Sequence, residues 1–337
     1  MLYEPSTLAS TATLLATALR EDYGIDPEPI YSRAGLSMMP PGSPQLRYPL
    51  SRIRELWKLG KEACGDDAIG LKAGRYAKPQ DFYALGYSWL ASSSLLGAME
   101  RLTRYMQVVS TASAVVTLTE TVDSYALAAR FPDPSKAPPK EGIDSGMTAL
   151  LALCDIVAEK EICPLRVDLT CPATTHPEAY REALRAPIRF DAEIGCMHFD
   201  KETLRQPLPL GAPDIARATD RITEQYMETL DPQKVASQVR QLLIALLPSG
   251  KADQELVSSQ LNRSASTLQR QLKSEGLSYR DVLESTQRSL AETYLRDKKY
   301  SLAQIAYLLG FSEQSNFSRA FKRWTSMSPG QYQDSVI

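Results

Sequence analysis

The chain has 337 residues, 43% of them hydrophobic and 23% charged, a composition typical of one or two globular domains. Its longest apolar runs fall well short of the ~20 residues that a membrane-spanning helix needs. No basic start followed by an apolar stretch indicates a signal peptide. We therefore expect no membrane partner and a cytoplasmic location.

The net charge of −2 is distributed unevenly along the chain. Residues 232–337 hold 14 Lys and Arg against 9 Asp and Glu, a net charge of +5, so that the remainder carries −7. A basic segment on an otherwise acidic chain indicates that one part faces phosphate. The signal is weak by itself, because +5 on about a hundred residues is common in globular proteins.

The first 210 residues mix helical and strand periodicities. Apolar residues at helical spacing predict helices over residues 7–21, 51–64, 94–110 and 145–161. Residues 114–121 and 124–131, rich in Val, Thr and aromatics, predict a hairpin, and residues 165–170 and 197–199 predict short strands. Proline-rich stretches at 39–49 and 132–139 are predicted loops. This half of the chain is therefore predicted to have an α+β fold.

A connector with three prolines follows at residues 206–213. A helix is predicted over residues 214–230, and Asp231 and Pro232 break it. We expect an effector-binding or dimerisation domain at residues 1–210, a linker helix at 211–231, and an all-α domain at 232–337.

An internal repeat in the last hundred residues carries the functional prediction. The pattern apolar-x-Arg-x-apolar-Lys occurs at residues 268–273 and again 49 residues later, at 317–322. Each copy lies on a predicted second helix, residues 265–275 and 313–324, which follows a turn and a first helix. We expect Gly276 and Gly310 to form turns and Ser312 to cap the last of these helices. The pattern predicts two helix-turn-helix units.

Polar side chains form the outward face of both second helices, whereas Leu268, Leu272, Phe317 and Phe321 point inward. This face is rich in hydrogen-bond donors and short of carboxylates, as a helix that enters the major groove requires. Arg and Gln suit base edges, and Lys and hydroxyl groups mostly contact phosphate. The outward residues are Ser266, Gln269, Arg270 and Lys273 on the first helix, and Gln314, Ser315, Ser318, Arg319 and Lys322 on the second.

One long helix is predicted between the two units, over residues 278–297. Twenty residues at ~1.5 Å each span ~30 Å, close to the ~34 Å of one turn of B-DNA. A rod of this length would set two recognition helices in successive major grooves on one face of the duplex.

Residues 305–324, followed by Ser-Pro-Gly-Gln-Tyr at 328–332, resemble the carboxy-terminal signature of the AraC/XylS family of transcription regulators. Residues 264–279 are similar to the family's first helix-turn-helix. Residues 325–327 depart from the aromatic residue and glycine usual there. The resemblance implies major-groove binding of double-stranded DNA. It places the base-contacting positions on Ser266, Gln269, Arg270, Glu313, Gln314, Asn316 and Arg319. Because Ser266 is small, we expect fewer base contacts from the first unit.

Residues 53–57, 81–87 and 189–199 resemble the arabinose-binding-type domain of an AraC subgroup that includes ornithine-utilisation and virulence regulators. This resemblance spans residues 8–210. It implies an effector or dimerisation domain whose ligand varies among members, and it does not imply arabinose. We expect a transcription regulator, an activator modulated by a small-molecule effector, with no cofactor. RNA polymerase is the further partner if it activates, and a homodimer is a possible assembly.

Two alternatives stay open at this stage. In the first, the amino-terminal half only dimerises and binds no effector. Tyr83, Tyr87, Trp89 and Tyr105 fit the lining of a pocket, but aromatic residues at such spacing are more often core.

The second alternative is a cysteine-dependent enzyme fused to a DNA-binding domain. The five cysteines form no Cys-x-x-Cys pair, which favours reduced thiols. Cys171 and Cys196 each have a histidine nearby, His176 and His198, but no nucleophile signature surrounds them. With Cys163 they match no zinc-site spacing. We therefore expect neither a catalytic residue nor a metal.

Overall fold

A computed structural model of the protein describes residues 4–38, 45–112, 114–173, 177–230, 234–250, 252–297 and 300–335. The chain divides into two compact units, one with the described residues up to Met227 and the other with those from Glu228 onward. The domain boundaries predicted at residues 210 and 231 stay predictions. Asp231 and Pro232, predicted to break a helix, lie outside the described residues.

The amino-terminal unit combines helices with two sheets. Its helices are α1 (Ala9–Tyr23), α2 (Glu28–Arg33), α3 (Leu50–Cys64), α4 (Ile69–Gly74), α5 (Tyr83–Leu90), α6 (Leu95–Val109), α7 (Lys140–Ala158), α8 (Pro177–Leu184), α9 (Lys201–Arg205) and α10 (Pro213–Leu230), the last of which runs past the division between the units. Its strands are β1 (Ser6–Leu8), β2 (Arg47–Pro49), β3 (Val115–Glu120), β4 (Ser124–Arg130), β5 (Arg166–Asp168), β6 (Ile188–Arg189) and β7 (Gly195–Asp200). The α+β fold expected for this half is confirmed.

The larger sheet has five strands in the order β3-β4-β7-β5-β6. All neighbours are antiparallel except β5 and β6, which are parallel. The predicted hairpin is confirmed as β3 and β4, paired from Val115 with Arg130 to Glu120 with Tyr125. Alternate residues of β4 and β7, including Leu127 and Met197, are buried on the helix-covered face.

Helix α7 packs against α4 at a very short distance, because two glycines in α4 present no side chain. A Cβ atom on Gly70 would lie 2.3 Å from the carbonyl oxygen of Glu141, and one on Gly74 would lie 2.2 Å from that of Ser145. Both distances are shorter than any real contact, so only glycine is accommodated. This close approach fixes the position of α7 beside the core.

Several predicted bounds are wrong. Helix α7 begins at Lys140 rather than at residue 145, because Pro139 at its N-cap needs no hydrogen-bond acceptor for a backbone N–H. The predicted loop over 39–49 contains β2, which pairs with β1 in the second, two-stranded sheet. Helix α5 and the short helices α2, α4, α8 and α9 were not predicted, because most of them have too few turns to produce a clear periodicity.

The described part of the carboxy-terminal unit consists of helices joined by short turns and contains no strand. Its helices are the end of α10, α11 (Val235–Leu246), α12 (Gln254–Gln260), α13 (Ala265–Ser274), α14 (Tyr279–Asp297), α15 (Leu302–Leu308), α16 (Gln314–Thr325) and α17 (Pro329–Ser335). Helices α12 and α13 form the first helix-turn-helix, and α15 and α16 form the second. The expected all-α domain with two such units joined by a long helix is confirmed.

Candidate nucleic-acid interface and ligand cavity

The first recognition helix, α13, is amphipathic. The Ser264 side chain caps its first turn by accepting a hydrogen bond from the backbone N–H of Thr267 at 3.2 Å. Leu268 and Leu272, one turn apart, are fully buried in the core. Gly276 follows the helix in the left-handed conformation, with φ of +75°, as predicted. The outward residues Ser266, Gln269, Arg270 and Lys273 are all exposed.

The second recognition helix, α16, is anchored by aromatic residues. Phe317 and Phe321 are fully buried, with ring centroids 5.8 Å apart. Gly310 forms the predicted turn before the helix, with φ of +77°. On the opposite face Glu313, Gln314, Ser315, Arg319 and Lys322 are exposed, and Asn316 and Ser318 are half-buried.

The predicted N-cap of α16 is wrong by one residue. Glu313 rather than Ser312 is the N-cap, because the Glu313 carbonyl accepts the first backbone hydrogen bonds, from Asn316 and Phe317. The Glu313 side chain does not cap the helix and instead accepts from the Ser315 hydroxyl at 3.1 Å. One carboxylate therefore lies at the amino-terminal end of an otherwise acid-free helix.

Most of the cations on the two outward faces are free of internal ion pairs. Arg270, Lys273 and Lys322 form no salt bridge with any described residue, and Arg319 hydrogen-bonds only to the neutral side chain of Asn316, at 2.7 Å. Arg323 differs, because its Nη2 donates to Glu284 on α14 at 2.9 Å. We therefore assign Arg323 to holding α16 on α14 rather than to the outward surface.

Helix α14 is shared by two hydrophobic cores. Val282 near its start belongs to the core of the first unit, together with Leu268 and Leu272. Leu290, Ala291 and Leu295 belong to the core of the second, which also contains Phe317 and Phe321. Because one continuous helix contributes to both cores, it holds the two recognition helices on a common rod.

Two side-chain hydrogen bonds connect α14 to the backbone of the helix-turn-helix units, one bond to each unit. Tyr279 donates its hydroxyl to the Ala252 carbonyl oxygen at 3.1 Å, on the side of the first unit. Gln287 donates from Nε2 to the Leu309 carbonyl oxygen at 2.9 Å, at the turn of the second unit. Gln287 is buried, so breaking this bond would leave an unsatisfied polar group in the core.

The amino-terminal unit encloses a cavity of about 620 Å³, within the ~300–1,000 Å³ range of small-molecule sites. It lies between helices and the inner face of the five-stranded sheet. The helices that contribute to its wall are α1, α3, α5, α6 and α7, and the strands are β1, β3, β4 and β7. The wall is predominantly apolar, with Leu14, Ile53, Phe82, Met106 and Leu127 among its residues.

The four aromatic residues that the sequence suggested for either a pocket or the core lie in different environments. Trp89 lines the cavity and is also fully buried. Tyr105 is buried and donates to Glu224 on α10 at 2.8 Å, and Tyr83 packs on Tyr226 with centroids 4.8 Å apart. Tyr87 is exposed. Trp57 also lines the cavity, and the sequence did not indicate this role. Residues that line a cavity and residues that fill a core show the same helical spacing of apolar positions.

Comparison with known proteins identifies both halves of this arrangement. Residues 24–208, more than half of the chain, match the model of the arabinose-binding domain of AraC transcription regulators, and residues 257–335 match a helix-turn-helix domain model. The chain belongs to the AraC family of transcription regulators. It is a DNA-binding transcription regulator.

Relatives of this AraC-family protein match it over about 70% to nearly all of its length. The ornithine utilization regulator of Pseudomonas aeruginosa is 28% identical over 333 residues, which cover 96% of this chain and 97% of that protein. The regulator VirS of Mycobacterium tuberculosis is 29% identical over 243 residues, 72% of this chain and 71% of that protein. The crystal structure of the transcriptional regulator CdpR from P. aeruginosa is 19% identical, covers 99% of each chain and has a TM-score of 0.44.

Four of the five cysteines of this AraC-family regulator lack the lowered pKa of an activated nucleophile. Burial raises the pKa of the Cys64, Cys154 and Cys171 thiols, and raises that of Cys196 to about 11, whereas a reactive thiol needs a lowered pKa. The five cysteines are free thiols. His176, considered as a partner of Cys171, lies outside the described residues.

The remaining histidine belongs to a polar cluster on the sheet. His198 Nε2 lies 3.0 Å from Asp168 Oδ2, and Arg166 donates from Nε to Asp168 at 2.9 Å. No group of three His, Cys, Asp or Glu side chains within the described ranges could hold a metal ion. No helix in the described part of the chain is long and apolar enough to cross a bilayer.

Proposed function

We propose that this regulator reads its operator by inserting α13 and α16 into successive major grooves on one face of the duplex. The observation that carries the proposal is the sharing of α14 by both cores. Its 19 residues span ~28 Å at ~1.5 Å per residue, against ~34 Å for one turn of B-DNA. The length of α14 together with the width of the recognition helices at its two ends is close to this pitch. This spacing favours one major groove for each helix-turn-helix unit.

The outward residues divide into two roles by their chemistry. Long amide and guanidinium groups suit base edges, and ammonium groups suit phosphates. We assign base contacts to Ser266, Gln269, Arg270, Glu313, Gln314, Asn316 and Arg319, and phosphate contacts to Lys273 and Lys322. As the one carboxylate in this set, Glu313 would accept a hydrogen bond from a cytosine amino group.

Regulation is assigned to the amino-terminal unit. Its cavity has the volume of a small-molecule site, and its matched family model is named for ligand binding. A bound small molecule would alter the affinity for DNA only if it favours one conformation of the chain over another. Because the proposed ligand is DNA, we place the protein in the cytoplasm. We infer binding rather than catalysis as its activity.

For the sign of regulation we propose activation through RNA polymerase. Support comes from an exposed patch on α15 in the DNA-binding unit, where the Tyr307 side chain is 68% exposed beside the exposed Ala303. Exposed aromatic surface of this kind is typical of protein contacts. Tyr307→Ala should keep its operator affinity and lose promoter activation in a reconstituted transcription assay.

A homodimer is the assembly that we propose. Ile215 and Ile222 on α10, seven residues apart and so on one helix face, are 58% and 46% exposed. A second copy of the chain would cover them. Sedimentation of the wild type and of a double Ile→Ser variant at micromolar concentration tests this assembly.

The DNA proposal is tested by operator binding. The operator is first located by footprinting on the source genome, and dissociation constants are then measured for Arg270→Ala combined with Arg319→Ala. We expect a loss of at least about 30-fold, since each base-contacting Arg contributes about 1–3 kcal/mol and the two together about 2–6 kcal/mol. Arg181→Ala, which removes one positive charge from the amino-terminal unit, is the control for each Arg→Ala change and should bind as the wild type. Equal affinity of all three proteins would overturn the assignment.

A further inference from the structure

Two hydroxyl groups in the wall of the cavity of the amino-terminal unit already donate hydrogen bonds to the protein backbone. Thr7 donates its hydroxyl to the Val109 carbonyl oxygen at 2.9 Å, and Thr11 donates to that of Leu8 at 2.7 Å. The charged residues Arg130 and Glu193 are exposed, so they lie at the rim. Lys140 is paired with Asp144 at 2.8 Å. The interior therefore offers little unused polarity to a ligand.

Two tryptophans line this cavity, and they differ in one hydrogen bond. Trp89 donates its indole N–H to the Leu153 carbonyl oxygen at 3.1 Å. The indole N–H of Trp57 has no acceptor among the described residues, although this side chain is only 4% exposed. Its Nε1 would lie 3.5 Å from a Cβ on Gly142, which is itself a wall residue. A buried indole N–H usually has a partner, so Trp57 presents an open donor at the cavity.

A second unused group lies close by on α7. Ser145 is buried, lines the cavity and follows Gly142 by three residues, so it lies on the same side of the helix. Within the ranges that the structure describes, its hydroxyl has no hydrogen-bond partner. Two unused polar groups of the interior, the Trp57 indole N–H and the Ser145 hydroxyl, therefore lie near Gly142 on one side of an apolar cavity.

We infer that the cavity binds a predominantly apolar molecule with one hydrogen-bond-accepting group, such as a ketone, ester or amide oxygen, placed against the Trp57 N–H. This inference deepens the proposed function and rests on it, because the cavity is the proposed effector site. At ~30 Å³ per water, 620 Å³ corresponds to about 20 water molecules, so a two- or three-ring compound fits.

The same walls disfavour the ligand classes that the name of the matched family model and the name of one relative suggest. A sugar carries a hydroxyl on almost every carbon, and each one buried here without a partner would weaken binding. A free amino acid such as ornithine needs paired charges for its carboxylate and ammonium groups. The charged wall residues are at the rim or already paired, so neither class finds enough partners.

The experiment uses the full-length protein and matched probes. N-phenyl-1-naphthylamine, an apolar fluorophore, reports occupancy, and competitors displace it. Benzophenone and diphenylmethane share one skeleton and differ by a carbonyl oxygen, and L-arabinose and L-ornithine represent the polar classes. We expect benzophenone to bind about 3- to 10-fold more tightly than diphenylmethane, the effect of one hydrogen bond. We expect no displacement by the polar pair.

Two tryptophan variants assign this difference to one indole. Trp57→Phe keeps an aromatic ring and removes the open N–H, so it should abolish the preference for benzophenone and leave diphenylmethane binding within about 2-fold. Trp89→Phe is the matched control. It removes an N–H that is already engaged, so it should retain the preference even if it is less stable.

If Trp57→Phe fails to fold, the preference of the wild type and of Trp89→Phe for benzophenone over diphenylmethane still tests the ligand class, and a further variant tests whether the probes occupy this cavity. Gly146 lies on α7 at the cavity wall, and a Cβ there meets no atom within 4 Å. Gly146→Leu should therefore fold, and its side chain should reduce binding of all apolar probes about 10-fold or more.

The outcomes test the inferred ligand class and the proposed regulation separately. Apolar binding that depends on Trp57 but leaves operator affinity unchanged supports the ligand class and contradicts the proposed regulation. A ketone preference that survives Trp57→Phe overturns the inference. Displacement of the probe by arabinose or ornithine, with no discrimination between the two apolar competitors, also overturns it and leaves the proposed regulation standing.

Discussion

Arg319 donates a hydrogen bond from Nη2 to the Asn316 side-chain oxygen at 2.7 Å, one turn apart on the exposed face of α16. Both residues are predicted to contact bases. The bond holds the guanidinium group of the exposed Arg319 near the helix surface and leaves its other N–H groups without a partner among the described residues. A donor held in position before binding loses less side-chain entropy when it meets a guanine edge.

The first prediction concerns Arg319. We expect Arg319→Ala to weaken operator binding by about 1–3 kcal/mol and to remove discrimination at a single base pair. Asn316→Ala should also weaken binding, because it removes a predicted base contact together with the hydrogen bond that holds the Arg319 guanidinium group. Dissociation constants on the operator and on single-base variants measure both effects. An unchanged base preference in Arg319→Ala would count against this placement of the side chain.

The second prediction concerns Lys322, which is exposed three residues beyond Arg319 and has no ion pair among the described residues. A phosphate contact is indifferent to sequence, so Lys322→Ala should weaken specific and nonspecific DNA alike. The slope of log affinity against log salt concentration should fall by about 0.9, the value for one phosphate. A base-dependent loss with an unchanged slope would instead make Lys322 a base-reading residue.

The third prediction concerns Glu275, whose carboxylate caps the start of α11 although it lies in another part of the chain. Glu275, which follows α13, accepts hydrogen bonds from the backbone N–H groups of Val235 and Ala236 at 2.6 and 3.0 Å. The N-cap residue of α11, Lys234, makes no side-chain capping bond. Glu275→Ala should therefore lower the free energy of unfolding of this unit by about 1–2 kcal/mol. Denaturant unfolding measures the change.

The matched control for Glu275 is Glu255→Ala, which removes the same charge from an exposed position on α12. This control should change the stability by less than about 0.5 kcal/mol. If both variants are equally stable, the capping role assigned to Glu275 is wrong.

The fourth prediction concerns pH and Asp168. Burial acts to raise the pKa of this carboxyl, but hydrogen bonds from Arg166 and His198 outweigh it and lower the pKa below its ordinary value. A carboxyl with a lowered folded-state pKa stabilises the fold above its unfolded pKa of ~3.9, and this stabilisation is lost as the pH falls through the folded value. Asp168→Asn should therefore lower the stability at pH 7 by about 1–3 kcal/mol.

Thermal unfolding midpoints at pH 7, 5 and 4 test the sign of this effect. The difference between the wild type and Asp168→Asn should be largest at pH 7 and 5 and should begin to shrink by pH 4. Asp67→Asn, at a side chain that is 91% exposed, should show little difference at any pH. A gap that widens as the pH falls would contradict the assignment.

The recognition helices could be predicted from the sequence because their spacing leaves few alternatives. Leu268 and Leu272 are separated by one helical turn, as are Phe317 and Phe321, and all four are fully buried. The turn predicted at Gly310 also has the positive φ that only glycine adopts without strain. The N-cap of α16 was predicted one residue too early, because the backbone hydrogen bonds accepted by Glu313, and not the residue type, determine where this helix begins.

The cavity could not be predicted for a physical reason. Its wall is assembled from residues far apart in the chain, from Thr7 to Met197, and most are apolar residues that a filled core would also use. The unused donor of Trp57 is visible only once the positions of all its neighbours are known. Helix α11 was also not predicted, and the carboxylate that accepts hydrogen bonds from its first backbone N–H groups, Glu275, lies some forty residues away in the chain.

The measurement that most directly tests the account maps where each unit reads the operator. Dissociation constants are determined for Arg270→Ala and Arg319→Ala on a set of operators in which every base pair is changed in turn. If α14 holds α13 and α16 in successive major grooves, each variant loses discrimination at its own position, and the two positions lie about 10 base pairs apart. Positions within about 3 base pairs of each other, or loss at the same position in both variants, would contradict the account.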